Sequence, residues 1–337
     1  MFFATQTGNC VPGKRTMDAF LLLSYGAPER KEEVVPFLRN VLAGKNVPSD
    51  RFDTAIEKYD ELARRTGRFS PLNEECRALI AGIQREFNER GSNIPVYWGN
   101  LYWKPFLDDT VAEMSANGVH RAVCFATSAF DSPQGNRRYA DALEAARRKI
   151  GPKVPVLDKL PLPFAHPLFV EAQADRVRSV LGERSTSTRI LFSAHAIPER
   201  DAADSQYISQ LHATCRAVID KIGTLPYELV FQSQSGRPAS LWTGPDIKDR
   251  VREIAGEGRY CSIVVSPIGF FCENVETVWD LDQEVGELCA SLGLGFTRVA
   301  AVGAMPKICR MIADYRDDVN VVSPFPKREA WGEGHSV

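Results

Sequence analysis

The sequence has no apolar run long enough to cross a bilayer, which takes about 20 residues. Its longest, Ala19 to Leu23, is the size of a strand. It has almost no net charge: 41 basic residues against 43 acidic ones leave −2. Nothing electrostatic therefore points to nucleic acid. No two of its eight cysteines form a CxxC pair. Without an export signal, free thiols are expected, most of them as small core residues. GxGxxG, Walker A and GxSxG are all absent, which disfavours a dinucleotide fold, a P-loop and an α/β-hydrolase. The opening MFFATQTGNCVPGKRT lacks the basic region and apolar stretch of a signal peptide. Met17 directly precedes the first strand, so residues 1–16 are expected to form a disordered tail or an unused upstream start. A cytoplasmic location follows by default.

What is present is ordinary for a globular chain: 337 residues, 44% hydrophobic and 25% charged, enough for two domains. Short apolar runs alternate with amphipathic stretches. Strands are expected at 18–25, 95–98, 121–127, 154–160, 189–193, 227–232, 260–265 and 296–299. Helices are expected between them, including 52–65, 205–222 and 306–315. Ser70 is expected to cap a long helix with Pro71 at its first position. This alternation predicts an α/β fold with parallel sheets covered on both faces. Two sheets of about four strands suit the count better than one. The expected divisions are an N-terminal domain over 17–160, a C-terminal domain over 161–318 and a flexible tail over 319–337. An internal echo supports two halves: LLLSYGAPER ends the first strand and ILFSAHAIPER leaves another halfway along. Each half then presents a strand-end loop to a shared cleft.

Five histidines are present. His120, His166, His212 and His335 read as exposed, structural, uncertain and tail residues respectively. His195 stands apart, at a strand end in a segment closed by Pro198, where open α/β sheets present side chains to ligands. Its ordinary pKa near 6.5 suits proton transfer. The second feature is SPIGFFCENVETVWDLDQEV, Ser266 to Val285. On a helix Glu276, Asp280 and Glu284 fall in one row. Their repulsion costs only a few tenths of a kcal/mol, so spacing alone favours a solvated acidic face, with cation handling the minority reading. The QSQSG turn at 232–236 reads as a loop. Phe69, Tyr102, Trp103, Phe130 and Trp242 lie near strand ends, where together they can wall a flat apolar cavity, although singly each is more often core.

These segments resemble one family, the ferrochelatases, which insert ferrous iron into a porphyrin. LLLSYGAPE is similar to the family's opening strand and loop, RFSPLN to its GGxSPL segment, and YWGNLYWKPFLDDTVAEM to its third segment. FSAHAIPER resembles SAHSLP, FQSQSGRPASLWTGPD resembles WQSxxG…W…PD, and PIGFFCENVETVWDLDQE resembles PxGFxxDHxExLxxLDxE. The local cues TSAFDSPQGNRRY and HPLFVEA resemble the actinobacterial branch, associated with coproporphyrin III. The resemblance implies two flavodoxin-like (Rossmann-like) domains around a porphyrin cleft. It implies His195 as the catalytic histidine, Glu276 as its partner, and Asp280 and Glu284 as an acidic ridge on a π-widened helix. Its implied porphyrin contacts are Glu29, Arg30, Ser70, Tyr102, Phe130, Gln234 and Trp242. Fe²⁺ enters as substrate, the porphyrin is the partner, and a monomer is expected.

The sequence departs from the family pattern at several positions. Glu273-Asn274 stands where the family usually has Asp-His. Leu101, Leu42 and Ala43 replace basic residues found in relatives, which leaves propionate recognition to Arg30, Lys45, Arg68 or Lys104. Glu29 stands where some relatives place a tyrosine or methionine near the metal. Asn136 lies near the mid-chain cluster cysteine of other relatives, so no iron–sulfur cluster is expected. The rival readings are a porphyrin-binding protein that has lost catalysis and a cobalt or nickel chelatase on the same fold, with a generic sugar or nucleotide binder a distant third.

Overall fold

The computed structural model describes residues 18–44, 48–182, 187–234 and 241–318, with the backbone of 323–324. The first strand, β1 (Ala19–Ser24), is buried at every residue. An unbroken apolar run suits a strand covered on both faces. It lies inside a parallel sheet with β2 (Val96–Asn100), β3 (Arg121–Ala126) and β4 (Val156–Lys159), in the order β2-β1-β3-β4. The second sheet holds β5 (Thr188–His195), β6 (Tyr227–Gln232), β7 (Ser262–Ser266) and β8 (Gly295–Arg298). Its order is β6-β5-β7-β8, again parallel, and it repeats the pattern of the first. The sequence echo falls on β1 and β5, which hold equivalent places in the two sheets.

The stretch 319–337, read as a tail, contributes a two-residue strand β9 (Ser323–Pro324) that pairs antiparallel with β4. The rest of that stretch, and residues 1–16, lie outside the described residues.

The helices relevant to the cleft are α1 (Lys31–Leu42), α2 (Ser49–Thr66), α3 (Leu72–Glu89), α4 (Leu107–Ala116), α5 (Arg138–Ile150) and α6 (Pro167–Leu181). Ser70 acts at the start of α3 as expected, its Oγ accepting from the Leu72 N–H at 3.3 Å. Pro71 takes the cap position itself. His166 caps α6 through Nδ1, at 3.2 Å from the Leu168 nitrogen, which is its structural role. The helix expected over 205–222 is found as α8 (Tyr207–Ile222), and a short helix that was not expected, α7 (Glu199–Ala203), precedes it. After α9 (Ile247–Glu257) comes the acidic segment, then α10 (Gly286–Ser291) and α11 (Pro306–Asp317).

One apolar cluster runs through both halves, beside separate clusters within each half. Phe20 and Phe125 from the first sheet join Ile190, Phe192 and Val264 from the second. Phe271, beyond β7, sets its ring 5.4 Å from Phe125 and 6.1 Å from Phe169. Helix α11 packs on both α3 and α6. The fit with α3 needs a glycine: a Cβ at Gly82 would come 2.5 Å from Cys309 Sγ. All seven cysteines among the described residues are free, and only Cys261 is exposed.

Candidate active site

Every parallel strand delivers its carboxyl end to the same side of its sheet, so the residues following the strands converge. β5 ends in His195, one residue inside the strand rather than beyond it, in register with Gln232 at the end of β6. β7 leads through Pro267 and Gly269 toward Glu276. Gly269 has no room for a side chain, because a Cβ would fall 2.6 Å from that of Ala194, the residue before His195. The close approach of these backbones sets the two functional side chains against each other. His195 Nε2 lies 3.4 Å from Glu276 Oε1, with about two-fifths of each side chain exposed.

The remaining contacts define the imidazole. Its Nδ1 lies 2.6 Å from the Ala196 carbonyl oxygen, an atom that only accepts. Nδ1 therefore carries a hydrogen, and Nε2 is the atom that gains and loses a proton. Burial works against a charged imidazole, but the Glu276 carboxylate and the Ala196 carbonyl outweigh it and raise the His195 pKa to about 9. Burial likewise disfavours the Glu276 anion, yet His195 and then Lys58 hold its carboxyl below the usual range. At neutral pH the two form an imidazolium–carboxylate pair.

The acidic segment is a π-helix from Thr277 to Val285. The Trp279 indole N–H reaches Glu284 Oε1, five residues on, at 2.9 Å. Asn274 starts the helix. Its Oδ1 accepts from the N–H of Glu276 at 2.8 Å and of Thr277 at 3.0 Å, while the Thr277 hydroxyl accepts from the Asn274 N–H at 3.0 Å. This is a reciprocal cap. Glu273 is also structural: it accepts from the Ala301 N–H and pairs with Arg298, both at 2.7 Å. The unusual Glu273-Asn274 pair thus serves helix and strand rather than the cleft.

Along the row, Asp280 is buried and accepts from the Ser233 hydroxyl. Burial raises its pKa and Lys58 counters this, with Glu276 and Glu284 adding to the rise. Glu284 is held low despite burial by Lys248 and Lys58. Among the described residues, no three His, Cys, Asp or Glu side chains form a ready-made metal cage. Only His195 and Glu276 of the four expected residues touch each other, while Asp280 and Glu284 face cations.

An aromatic wall stands opposite. Tyr25, following β1, lies 4.5 Å centroid to centroid from Tyr102. Phe37 and Trp103 are 6.2 Å apart, and Tyr59, Phe69 and Val275 belong to the same cluster. Burial first, and Glu276 second, push the Tyr25 and Tyr59 hydroxyls well above their ordinary pKa. Arg138, at the start of α5, donates to the Tyr102 hydroxyl and, at 3.2 Å, to Gln134 Oε1.

Several expected ring contacts are placed elsewhere. Glu29 is exposed and pairs with Arg77 at 2.5 Å, whereas Tyr25 is close enough to Glu276 for that carboxylate to raise its pKa. Arg30 is exposed and pairs with Glu33 at 2.9 Å. Phe130 is 2% exposed and packs edge-on to Phe169 and Tyr207, so it is core. Ser70 is buried at its helix start. Gln234 donates to the Thr243 carbonyl at 3.1 Å, and Trp242 bridges Pro198, so both brace the segment after His195. Arg68 is taken by Glu74 at 2.7 Å, and Lys45 lies outside the described residues. Tyr25, Ser233, Lys58 and Arg138 were missed by sequence reasoning. Tyr25 reads as the end of an apolar run, and the others meet the site only through the fold.

Comparison with known proteins agrees with this arrangement. The ferrochelatase family profile matches residues 17–318. A ferrochelatase of Rhodopirellula baltica is 39% identical over 298 residues, covering 88% of this chain and 84% of its own. A coproporphyrin III ferrochelatase of Nocardia farcinica is 39% identical over 321 residues, covering 91% and 90%. A second coproporphyrin III ferrochelatase, from Frankia alni, is 40% identical over 319 residues, covering 90% and 80%. Among solved structures, the sirohydrochlorin chelatase SirB of Bacillus subtilis subspecies spizizenii, in complex with cobalt, superposes at TM-score 0.53. At 10% identity over 89% of this chain and 94% of that one, the likeness is one of fold. The chain belongs to the ferrochelatase family.

Proposed function

We propose that this chain inserts Fe²⁺ into coproporphyrin III in preference to protoporphyrin IX, without an iron–sulfur cluster. The observation that carries the reading is the His195–Glu276 pair at the strand ends, between an aromatic wall and an acidic row. Metallation removes two pyrrole protons and replaces them with one Fe²⁺. His195 Nε2 takes those protons one at a time, passing the first on before it accepts the second. It first needs to lose its own, and an approaching cation beside Glu276 drives that loss by withdrawing the charge that holds it. Asp280, whose carboxyl burial holds above its ordinary range, is the next acceptor along the row. The aromatic wall of Tyr25, Tyr102 and Trp103 supplies flat apolar surface for the macrocycle.

The substrate preference rests on the names of the Nocardia and Frankia relatives and on Arg138. Coproporphyrin III carries four carboxylates and protoporphyrin IX two. Arg138 sits beside Tyr102 with no carboxylate partner among the described residues, and it offers the guanidinium that Leu101 does not. Asn136, near the position of the mid-chain cluster cysteine in other relatives, supports the absence of a cluster. Loss of catalysis was suggested only by the missing histidine at 274, and the capping role of Asn274 removes that reason. The test is a pair of variants, His195→Ala and Glu276→Gln. Each is expected to retain porphyrin binding by fluorescence quenching and to lose metallation. Near-normal turnover in either contradicts the assignment.

A further inference from the structure

The acidic row is already occupied by cations of the protein itself. Lys58 Nζ lies 3.4 Å from Asp280 Oδ1 and 3.7 Å from Glu284 Oε1. Lys248 Nζ lies 2.8 Å from Glu284 Oε2. The two lysines come from different halves: Lys58 from α2 in the first, Lys248 from α9 in the second. The Lys58 ammonium also stands 6.0 Å from the Trp279 ring. About two turns along α2, Arg65 joins Gln283 and, at 2.9 Å, Glu287. Helix α2 is thereby laid along the acidic helix and holds Lys58 over it.

We propose that Lys58, with Lys248, acts as a built-in competitor for the metal: the ammonium groups fill the acidic row in the empty enzyme, and a divalent cation passes along it only by displacing them. This deepens the function proposed above and rests on it. The physical case is a balance of charges. Asp280 and Glu284 without a cation would repel each other and Glu276 across a partly buried surface. A lysine is suited to the task because its single, strongly hydrated charge sits on a flexible stem. It neutralises the row, yet it can swing away without breaking a rigid bidentate contact. The bound ammonium raises the metal concentration at which the row fills, and so discriminates against weakly held cations. The Michaelis constant for metal, rather than the one for porphyrin, is then what Lys58 sets.

The experiment is Zn²⁺ titration of the porphyrin-free full chain by calorimetry, chosen because Zn²⁺ is redox-inert. It is run on wild type, Lys58→Met, Lys58→Arg and Lys248→Met, each also in an Asp280→Asn/Glu284→Gln background. Removing a unit charge at this distance is expected to tighten Zn²⁺ binding about tenfold in Lys58→Met, with a smaller gain in Lys248→Met. Lys58→Arg keeps the charge and can grip the carboxylates bidentately, so it binds Zn²⁺ no more tightly than wild type. The gain disappears in the double-carboxylate background, as it must if Lys58 acts through Asp280 and Glu284. In steady-state assays the KM for metal falls and the KM for porphyrin stays put. Unchanged or weaker Zn²⁺ binding in Lys58→Met overturns the proposal, as does an equal gain in the neutralised background. Lys248→Met carries the same test if Lys58→Met does not fold. Failure here with a wild type that metallates porphyrin rejects only the competitor role. A wild type that metallates nothing rejects the proposed function beneath it.

Discussion

In the proposed reaction, His195 offers a single atom for proton exchange. With Nδ1 held by the Ala196 carbonyl, only Nε2 is free to exchange protons, and it faces Glu276. The pKa near 9 has a clear sign. Below it the imidazole is charged, and the base form grows as pH rises. The pair's contribution to stability is therefore complete below the ordinary histidine pKa of about 6.5 and is lost as pH rises through about 9. A histidine-selective NMR titration of the porphyrin-free enzyme is expected to show this elevated pKa, and to show it drop toward the ordinary range in Glu276→Gln. An unchanged His195 titration in that variant contradicts the pairing. For turnover, losing a positioned acid–base group is expected to cost on the order of 10²- to 10⁴-fold in kcat for His195→Ala.

At the scale of the element, the acidic helix explains both its own start and the missing histidine. Asn274 is an N-cap, so Asn274→Ala removes two accepted hydrogen bonds and is expected to cost about 1 kcal/mol in denaturant unfolding. Asn274→Asp is expected to keep most of that stability. Asn274→His restores the residue common in the family, yet the position points at helix backbone, so turnover is expected to be no higher than wild type. A gain in turnover contradicts this reading. The π-helical form of Thr277–Val285 was expected only from the family resemblance, because four-residue spacing of acids is equally compatible with an α-helix. What ties the row to the rest of the protein was not visible at all. Lys58 and Asp280 are 222 positions apart, and Ser233 meets Asp280 from another strand end. Local periodicity carries no trace of such contacts.

On the scale of the whole molecule, the eight parallel strands were legible because each is a short apolar run between amphipathic stretches. The repeated order of the two sheets was foreshadowed by the echo at β1 and β5. The shared core was not: Phe271 reads as part of a functional motif, and Phe130 read as a cleft wall until its burial against Phe169 and Tyr207 placed it inside. Because Phe271 packs on rings from both halves, Phe271→Ala is expected to cost about 3–5 kcal/mol. Fluorescence and circular dichroism are expected to report one coincident unfolding transition, since the halves share their core. Two separated transitions contradict that picture. Metallation of a porphyrin at the His195–Glu276 pair is the central claim, and an anaerobic assay tests it directly: Fe²⁺ with coproporphyrin III and with protoporphyrin IX, side by side, on the full chain. Iron insertion into both, faster with coproporphyrin III, is the predicted result; tight porphyrin binding with no iron insertion into either would contradict it.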